Sequence, residues 1–182
     1  MKLKYLLLIY FSVCCSSLMA QSATETANWL QHTDTTYNFT VQYPGNWEFK
    51  LPGTNTRFFI TSYLENDADS FRENINCIAR KIDQTDFTIR SAEAAIKSSI
   101  EKKMENYTLI KSGYVKWNNT DALQLSYTCT QQPGGSTFQI HLFQQMAVIN
   151  GVLYVLTFTS EIKNYDKYIE LVKKVISSFE VN

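Results

Sequence analysis

The nine residues from Val152 to Ser160 read Val-Leu-Tyr-Val-Leu-Thr-Phe-Thr-Ser, apolar at consecutive positions over most of their length. Successive side chains of a strand point to opposite faces, so a strand of this kind is apolar on both. It has to be covered from above and below, which puts it centrally in a sheet with helices or other structure on either side. Asn150-Gly151 just before it is the favoured two-residue hairpin turn, so its partner is the preceding segment, paired antiparallel.

That partner, Phe138 to Ile149, sets Phe138, Ile140, Leu142, Met146 and Val148 on one face. The loop Pro133-Gly134-Gly135-Ser136 joins it to Ala122–Thr130, where Leu123, Leu125, Tyr127 and Cys129 alternate with polar residues. Asn118-Asn119 is turn chemistry leading back to a strand over Tyr107–Trp117. Earlier, Tyr37, Phe39 and Val41 alternate in a half-buried strand that stops at Pro44-Gly45-Asn46. Short strands follow over Trp47–Leu51, Arg57–Leu64 and Asn74–Ile82, the second rich in aromatic and β-branched residues.

Two stretches change period. Ala92, Ala95, Ile96, Ser99, Ile100 and Met104 recur at helical spacing, with Ser91 as the expected N-cap and Glu93–Lys97 as a four-residue ion pair. Near the C-terminus Tyr165, Tyr168, Ile169, Val172, Val175, Ile176 and Phe179 form one stripe, with Asn164 as the expected cap. Asp166 early and the lysines later complement the helix dipole. The pattern predicts an α+β fold: a hairpin-built antiparallel sheet flanked by two long helices, without βαβ alternation or internal repeat.

The first residues stand apart from this. Lys2 and Lys4 precede an apolar run from Tyr5 to Val13, and small and polar residues end at Ala20. A charged head, a short apolar stretch and a small residue before the cut are the parts of a secretion signal. The apolar run is far shorter than the roughly 20 residues of a membrane-spanning helix, so no such span is expected after processing. We therefore divide the chain into a signal peptide over 1–20, a polar leader over 21–34, ambiguous between an extended leader and a short helix through Ala27, Trp29 and Leu30, and one domain over 35–182. Leu18 is larger than ideal at its place before the cut. Cys14 and Cys15 offer a lipid-attachment alternative, although Val13 is not the small residue that such sites favour.

Removal of Lys2 and Lys4 leaves the remainder slightly acidic. A nucleic-acid partner normally needs a clustered basic face, so that class is excluded. Cys77 and Cys129 remain, and an oxidising compartment invites a disulfide between them; the other reading is two small buried apolar side chains.

Phe39, Tyr43, Pro44 and Trp47, then Phe71-Arg72-Glu73-Asn74-Ile75-Asn76, then Gly151 to Phe158 with a last helix ending in Ser177-Ser178-Phe179, give the chain a familiar order. Over residues 35–181 it resembles the PsbP-like superfamily, which includes photosystem subunits of that name, the Mog family of Ran-binding proteins and bacterial DcrB-like proteins. The resemblance implies an α/β/α sandwich around an antiparallel sheet, and binding or assembly work. It supplies no catalytic residue, and fold alone does not transfer function.

Catalytic signatures are sparse. Of the two histidines, His32 lies in the leader and His141 on the more polar face of its strand, where a solvent-facing or hydrogen-bonded structural role is expected. No C-x-x-C, H-x-x-x-H or H-E-x-x-H spacing occurs, so no metal or other cofactor is expected. Glu65, Asp67, Asp69 and Glu73 could hold calcium through oxygens, but the glycine and terminal glutamate of an EF-hand loop are missing. The tripeptides at Asn38, Asn106 and Asn118 match a glycosylation pattern and are discounted, because the signal has a bacterial character. Tyr43, Trp47 and Trp117 are candidate partner-facing aromatics, weighed against a role at the ends of the core.

These features favour an exported, periplasmic or secreted, non-catalytic binding or assembly module of the bacterial cell envelope, acting on an unidentified envelope protein. An outer-membrane lipoprotein is the alternative location. The alternative function is small-molecule or ion binding in a groove between sheet and helix, and a hydrolytic or redox enzyme ranks third.

Overall fold

The structure is a computed structural model that describes residues 28–53, 55–84 and 86–182. The expected signal peptide, the lipid-attachment cysteines Cys14 and Cys15, and the first part of the leader lie outside the described residues.

Among the described residues ten strands and two α-helices follow one another: β1 Trp29–Asp34, β2 Phe39–Pro44, β3 Glu48–Lys50, β4 Thr56–Thr61, β5 Asn74–Lys81, α1 Ile89–Lys103, β6 Glu105–Trp117, β7 Thr120–Gln131, β8 Phe138–Ile149, β9 Val152–Glu161, α2 Tyr165–Ser177 and β10 Glu180–Val181. Seven strands form one sheet in the order β3-β4-β5-β9-β8-β7-β6, and β1-β2-β10 form a second. Every pairing is antiparallel. The both-faces-apolar strand, β9, is fourth of the seven, which is the place its composition demands.

Two apolar clusters lie on opposite faces of the large sheet, because alternate residues of each strand belong to different clusters. Tyr154, Leu156 and Phe158 of β9 join Ile75, Cys77, Ala122 and Ala147 beneath α2 and β2. Leu123, Leu125, Tyr127 and Cys129 of β7 join Ile140, Leu142 and Met146 beneath Ile89 of α1. The class is α+β, as expected, but the helices are not long: α1 has 15 residues and α2 has 13. α1 stops at Met104 because the chain enters β6 at once. α2 stops at Ser177 because Phe179 turns back into the core at 1% exposure. α2 shares its layer with the small sheet, which the sequence pattern did not anticipate.

Part of the stretch read as a leader or short helix is strand β1. It lacks a clean alternation of its own and is held by six register pairs with β2. Asp34 ends it, accepting the backbone N–H groups of Thr36 and Tyr37 at 2.8 and 2.9 Å and the Arg57 Nε of β4 at 2.7 Å. This buried carboxylate ties the small sheet to the large one.

The caps also differ from expectation. Thr88, not Ser91, is the N-cap of α1, and Ser91 closes a reciprocal capping box with it. Asn164 stands at the start of α2, but its side chain donates to the Glu73 carboxylate at 2.9 Å instead of to the helix. Asn38, Asn106, Asn118, Asn119 and Asn150 all have positive φ between 47° and 60°. Asparagine tolerates that left-handed region, so the tripeptide asparagines have a backbone reason to be where they are.

Candidate functional site

Trp47 and Trp117 are 7% and 6% exposed and belong to the core beneath α2, and Tyr43 is half-buried with its ring stacked on Phe49 at 4.7 Å. As partner-facing anchors the two tryptophans are corrected to core residues, because each packs under a helix: Trp47 against Tyr168, and Trp117 with its indole N–H on the carbonyl of Ile176 at 3.2 Å. The exposed apolar residues are others, including Leu109 and Ile110 on the edge strand β6.

Cys77 and Cys129 are both free and buried. They sit in the clusters on opposite faces of the sheet, so the disulfide is not formed, and burial raises both thiols above their ordinary pKa.

The acidic loop does not converge on a cation site. Glu65 meets Lys167 and Tyr168, Asp69 accepts the backbone of Glu65 and Phe71, and Glu73 is buried against Ser62 and Asn164. Among the described residues no cluster of three or more His, Cys, Asp or Glu side chains could hold a metal.

His32 lies among Phe39 and Phe49, and burial pulls it below its ordinary pKa, with Asp34 opposing and Arg57 assisting. His141 is also pulled down by burial, with Asp166 opposing. Its ring stacks on Tyr165 at 3.4 Å, and its Nε2 lies 2.7 Å from Ser126 Oγ. A serine beside a histidine has the first contact of a nucleophile–base pair. Among the described residues no carboxylate is hydrogen-bonded to the other ring nitrogen, and in strands the backbone N–H groups are committed to the ladder. The pair clamps β7, β8 and the start of α2 together.

Ser126 lines a groove of about 590 Å³ between α2 and strands β6, β7 and β8. The alternative reading from sequence is a groove between sheet and helix; of the residues that line this one, only Trp117 is singled out there, and as a partner-facing aromatic. The β7–β8 register would have found the floor: Gln124 faces Gln145 directly, and Ser126 and His141 are diagonal neighbours on the same face. Along α2, Tyr165, Ile169 and Lys173 follow at four-residue intervals and form the wall. From Tyr165 to Lys173 the wall is about 12 Å long at the helical rise per residue, with the His141–Tyr165 stack at one end of the groove and Trp117 at the other.

The floor on β6 is Lys111, Gly113 and Val115, alternate residues of one face. A Cβ added at Gly113 would meet nothing within 4 Å, so the glycine leaves open space. Gln145 is 4% exposed and its Oε1 accepts from Gln124 Nε2 at 2.7 Å. Three lysines line the groove and no carboxylate does. Lys116 is paired with Asp121 and Lys173 with Glu170, whereas Lys111 makes no ion pair among the described residues.

The PsbP family model matches residues 27–181. No curated protein matches the chain. Among solved structures, cyanobacterial PsbP (CyanoP) of Synechocystis is similar at 18% identity and a TM-score of 0.62, over 91% of this chain and 99% of its own. LpqN of Mycobacterium tuberculosis, involved in cell envelope biogenesis, is similar at 11% identity and 0.57, over 87% and 86%. The Ran-binding protein Mog1p of Saccharomyces cerevisiae follows at 10% and 0.55, over 86% and 96%. At these identities the likeness is one of fold.

Proposed function

The chain belongs to the PsbP family, and from that premise we propose that it is a non-catalytic binding module exported to the bacterial cell envelope, whose binding element is the groove beside α2. One observation carries this reading: an open concavity with apolar walls, a polar floor and unfilled space at Gly113. Its volume is that of small-molecule sites, which combine apolar walls with a few convergent polar groups. The Ser126–His141 pair argues against catalysis here, since it lacks the orienting and charge-stabilising groups that chemistry needs.

Export rests on the charged head, short apolar run and small residue that end at Ala20. The cell-envelope role of LpqN supports the same compartment. No helix among the described residues is long and apolar enough to cross a membrane. The mass of the chain recovered from its native envelope fraction checks this: it begins at Gln21 if the signal is cut as read, and carries a lipidated cysteine if Cys14 or Cys15 is the anchor.

Thermal unfolding against a chemically broad compound panel tests the groove. At a hundredfold excess over Kd a ligand stabilises by about 2.7 kcal/mol, or roughly 5–10 °C for a domain of this size. Such a shift should occur in the native protein and vanish in Gly113→Leu, whose side chain fills the open space. A panel without any stabilising compound, or one whose compounds act equally on the variant, overturns the reading.

A second reading, contact with a partner protein, is favoured by β6. It is the edge of the large sheet and exposes Leu109 at 41% and Ile110 at 55%. An open edge can accept a partner strand. Ile110→Lys separates the two readings, because it should abolish a stoichiometric partner and leave compound binding unchanged.

A further inference from the structure

We propose that the groove takes a small organic carboxylate with an apolar body; this deepens the groove reading above and rests on it. The first observation is an amide without a full set of partners. Gln124 and Gln145 satisfy one donor and one acceptor between them, and among the described residues neither side chain makes another hydrogen bond. Whichever way the two amides are assigned, the pair retains an N–H donor, and both side chains line the groove, with Gln145 4% exposed. That donor is not among the buried atoms left without a partner, so it meets the solvent of the groove, and an occupant with an acceptor can take the place of that water.

The second observation is the sign of the charge. Among the described residues the lining has lysines and no carboxylate, and Lys111 is the lining cation without an ion pair to an acidic side chain. Lys111 and Gly113 share the face of β6 above which the groove opens, so the cation stands beside the unfilled space. The third is the wall: Val115, Phe143, Ile169 and Ile176 present apolar surface. A ligand that satisfies all three has an anionic acceptor group at one end and a compact hydrocarbon body at the other. A carboxylate fits the paired demands of a point cation and an amide N–H, since its two oxygens accept from both.

Such an acid could be free or could be the terminus of a peptide, and the chemistry at the groove is the same. The probes are naphthylacetate and its uncharged counterpart naphthylacetamide, titrated into the nitrogen-labelled protein and read by amide chemical shifts. Naphthylacetate is expected to bind more tightly, with shifts confined to β6, β7, β8 and α2. Lys111→Ala should weaken naphthylacetate about two- to fivefold, the effect of one solvent-exposed charge pair, and leave naphthylacetamide unchanged. Gly113→Leu should abolish both. Lys111 is exposed, so its removal reads the charge contribution without risk to folding.

A tripeptide ending in phenylalanine, with a free or an amidated terminus, separates the sources. If its acid form binds more tightly than naphthylacetate the site serves a chain terminus, and if less tightly a free acid; in either case the acid must bind more tightly than its amide for the carboxylate to stand. Equal affinity for naphthylacetate and naphthylacetamide overturns the carboxylate and leaves the groove standing. Failure of every probe to bind also overturns it, and the compound panel then decides the groove separately. Shifts elsewhere, or binding that survives Gly113→Leu, overturn both.

Discussion

Replacing Asp34 by Asn should lower stability by about 2 kcal/mol at neutral pH, with the loss fading as the solution is acidified. Asp34 is 4% exposed and accepts from Thr36, Tyr37 and Arg57, whose guanidinium also stands 5.0 Å from the Tyr37 ring. Asparagine keeps an acceptor for the two backbone N–H groups, so it gives up the charge-assisted bond to Arg57, a contribution of about 1.5–3 kcal/mol. Alanine gives up all three bonds at a buried site, and should cost about 3–5 kcal/mol.

The pH dependence has a definite sign. Burial alone would raise the Asp34 carboxyl, but the bond to Arg57 and the backbone bonds outweigh it and hold the group below its ordinary value of 3.8. The unfolded chain therefore takes up this proton at a higher pH than the folded one. The stabilisation is complete above the unfolded pKa and is lost as pH falls through the folded pKa. Urea unfolding followed by the fluorescence of the buried Trp47 and Trp117 is the assay; an uncharged denaturant avoids screening the ion pair. The gap between native protein and Asp34→Asn should be constant from about pH 7 to 5 and close below about pH 4. A gap under about 0.5 kcal/mol at pH 7, or one unchanged down to pH 2–3, refutes the reasoning, because a buried pair with a depressed pKa requires both effects.

Phe179→Ala should cost about 3–5 kcal/mol, because the ring packs on Phe39, Trp117 and Tyr154 at 4.6, 5.1 and 5.6 Å, whereas Leu51→Ala, at a site 61% exposed, should stay within about 0.5 kcal/mol. Similar urea midpoints for the two variants would count against the packing described. Cys77 and Cys129 should resist a thiol reagent in the folded protein and both react on unfolding, with a midpoint indifferent to reductant. An intact mass two hydrogens short of the dithiol would contradict the assignment.

The sequence carried the large sheet because its strands announce themselves locally. Val152–Ser160 is apolar on both faces, and the turns at Asn150-Gly151 and Pro133–Ser136 fix their own pairings, which is why β7, β8 and β9 stand where expected. β1 and β10 escaped notice for the opposite reason. Trp29–Asp34 has little alternation and Glu180–Val181 is two residues long, so both become strands through what β2 offers them. The tryptophans were legible as large apolar side chains, but not the side they would face, since Trp47 and Trp117 are covered by a helix far away in the sequence. Of the groove, the floor was recoverable from the β7–β8 register. Its emptiness was not, because it depends on where α2 settles over the sheet and how much of β6 it leaves bare.

The small sheet has a consequence for how the molecule is made. β2 sits between β1 and β10, and Asn38 donates to the carbonyl of Asn182 across 144 positions of chain. Until residues 178–182 have left the ribosome, the strand that carries Phe39 and Val41 lacks its last neighbour and the ring of Phe179 that lies on Phe39. Contacts so distant in sequence are among the last to form, because the intervening chain must first be drawn together. For a polypeptide exported as we propose, that lateness would keep the small sheet open until the last residues of the domain are available.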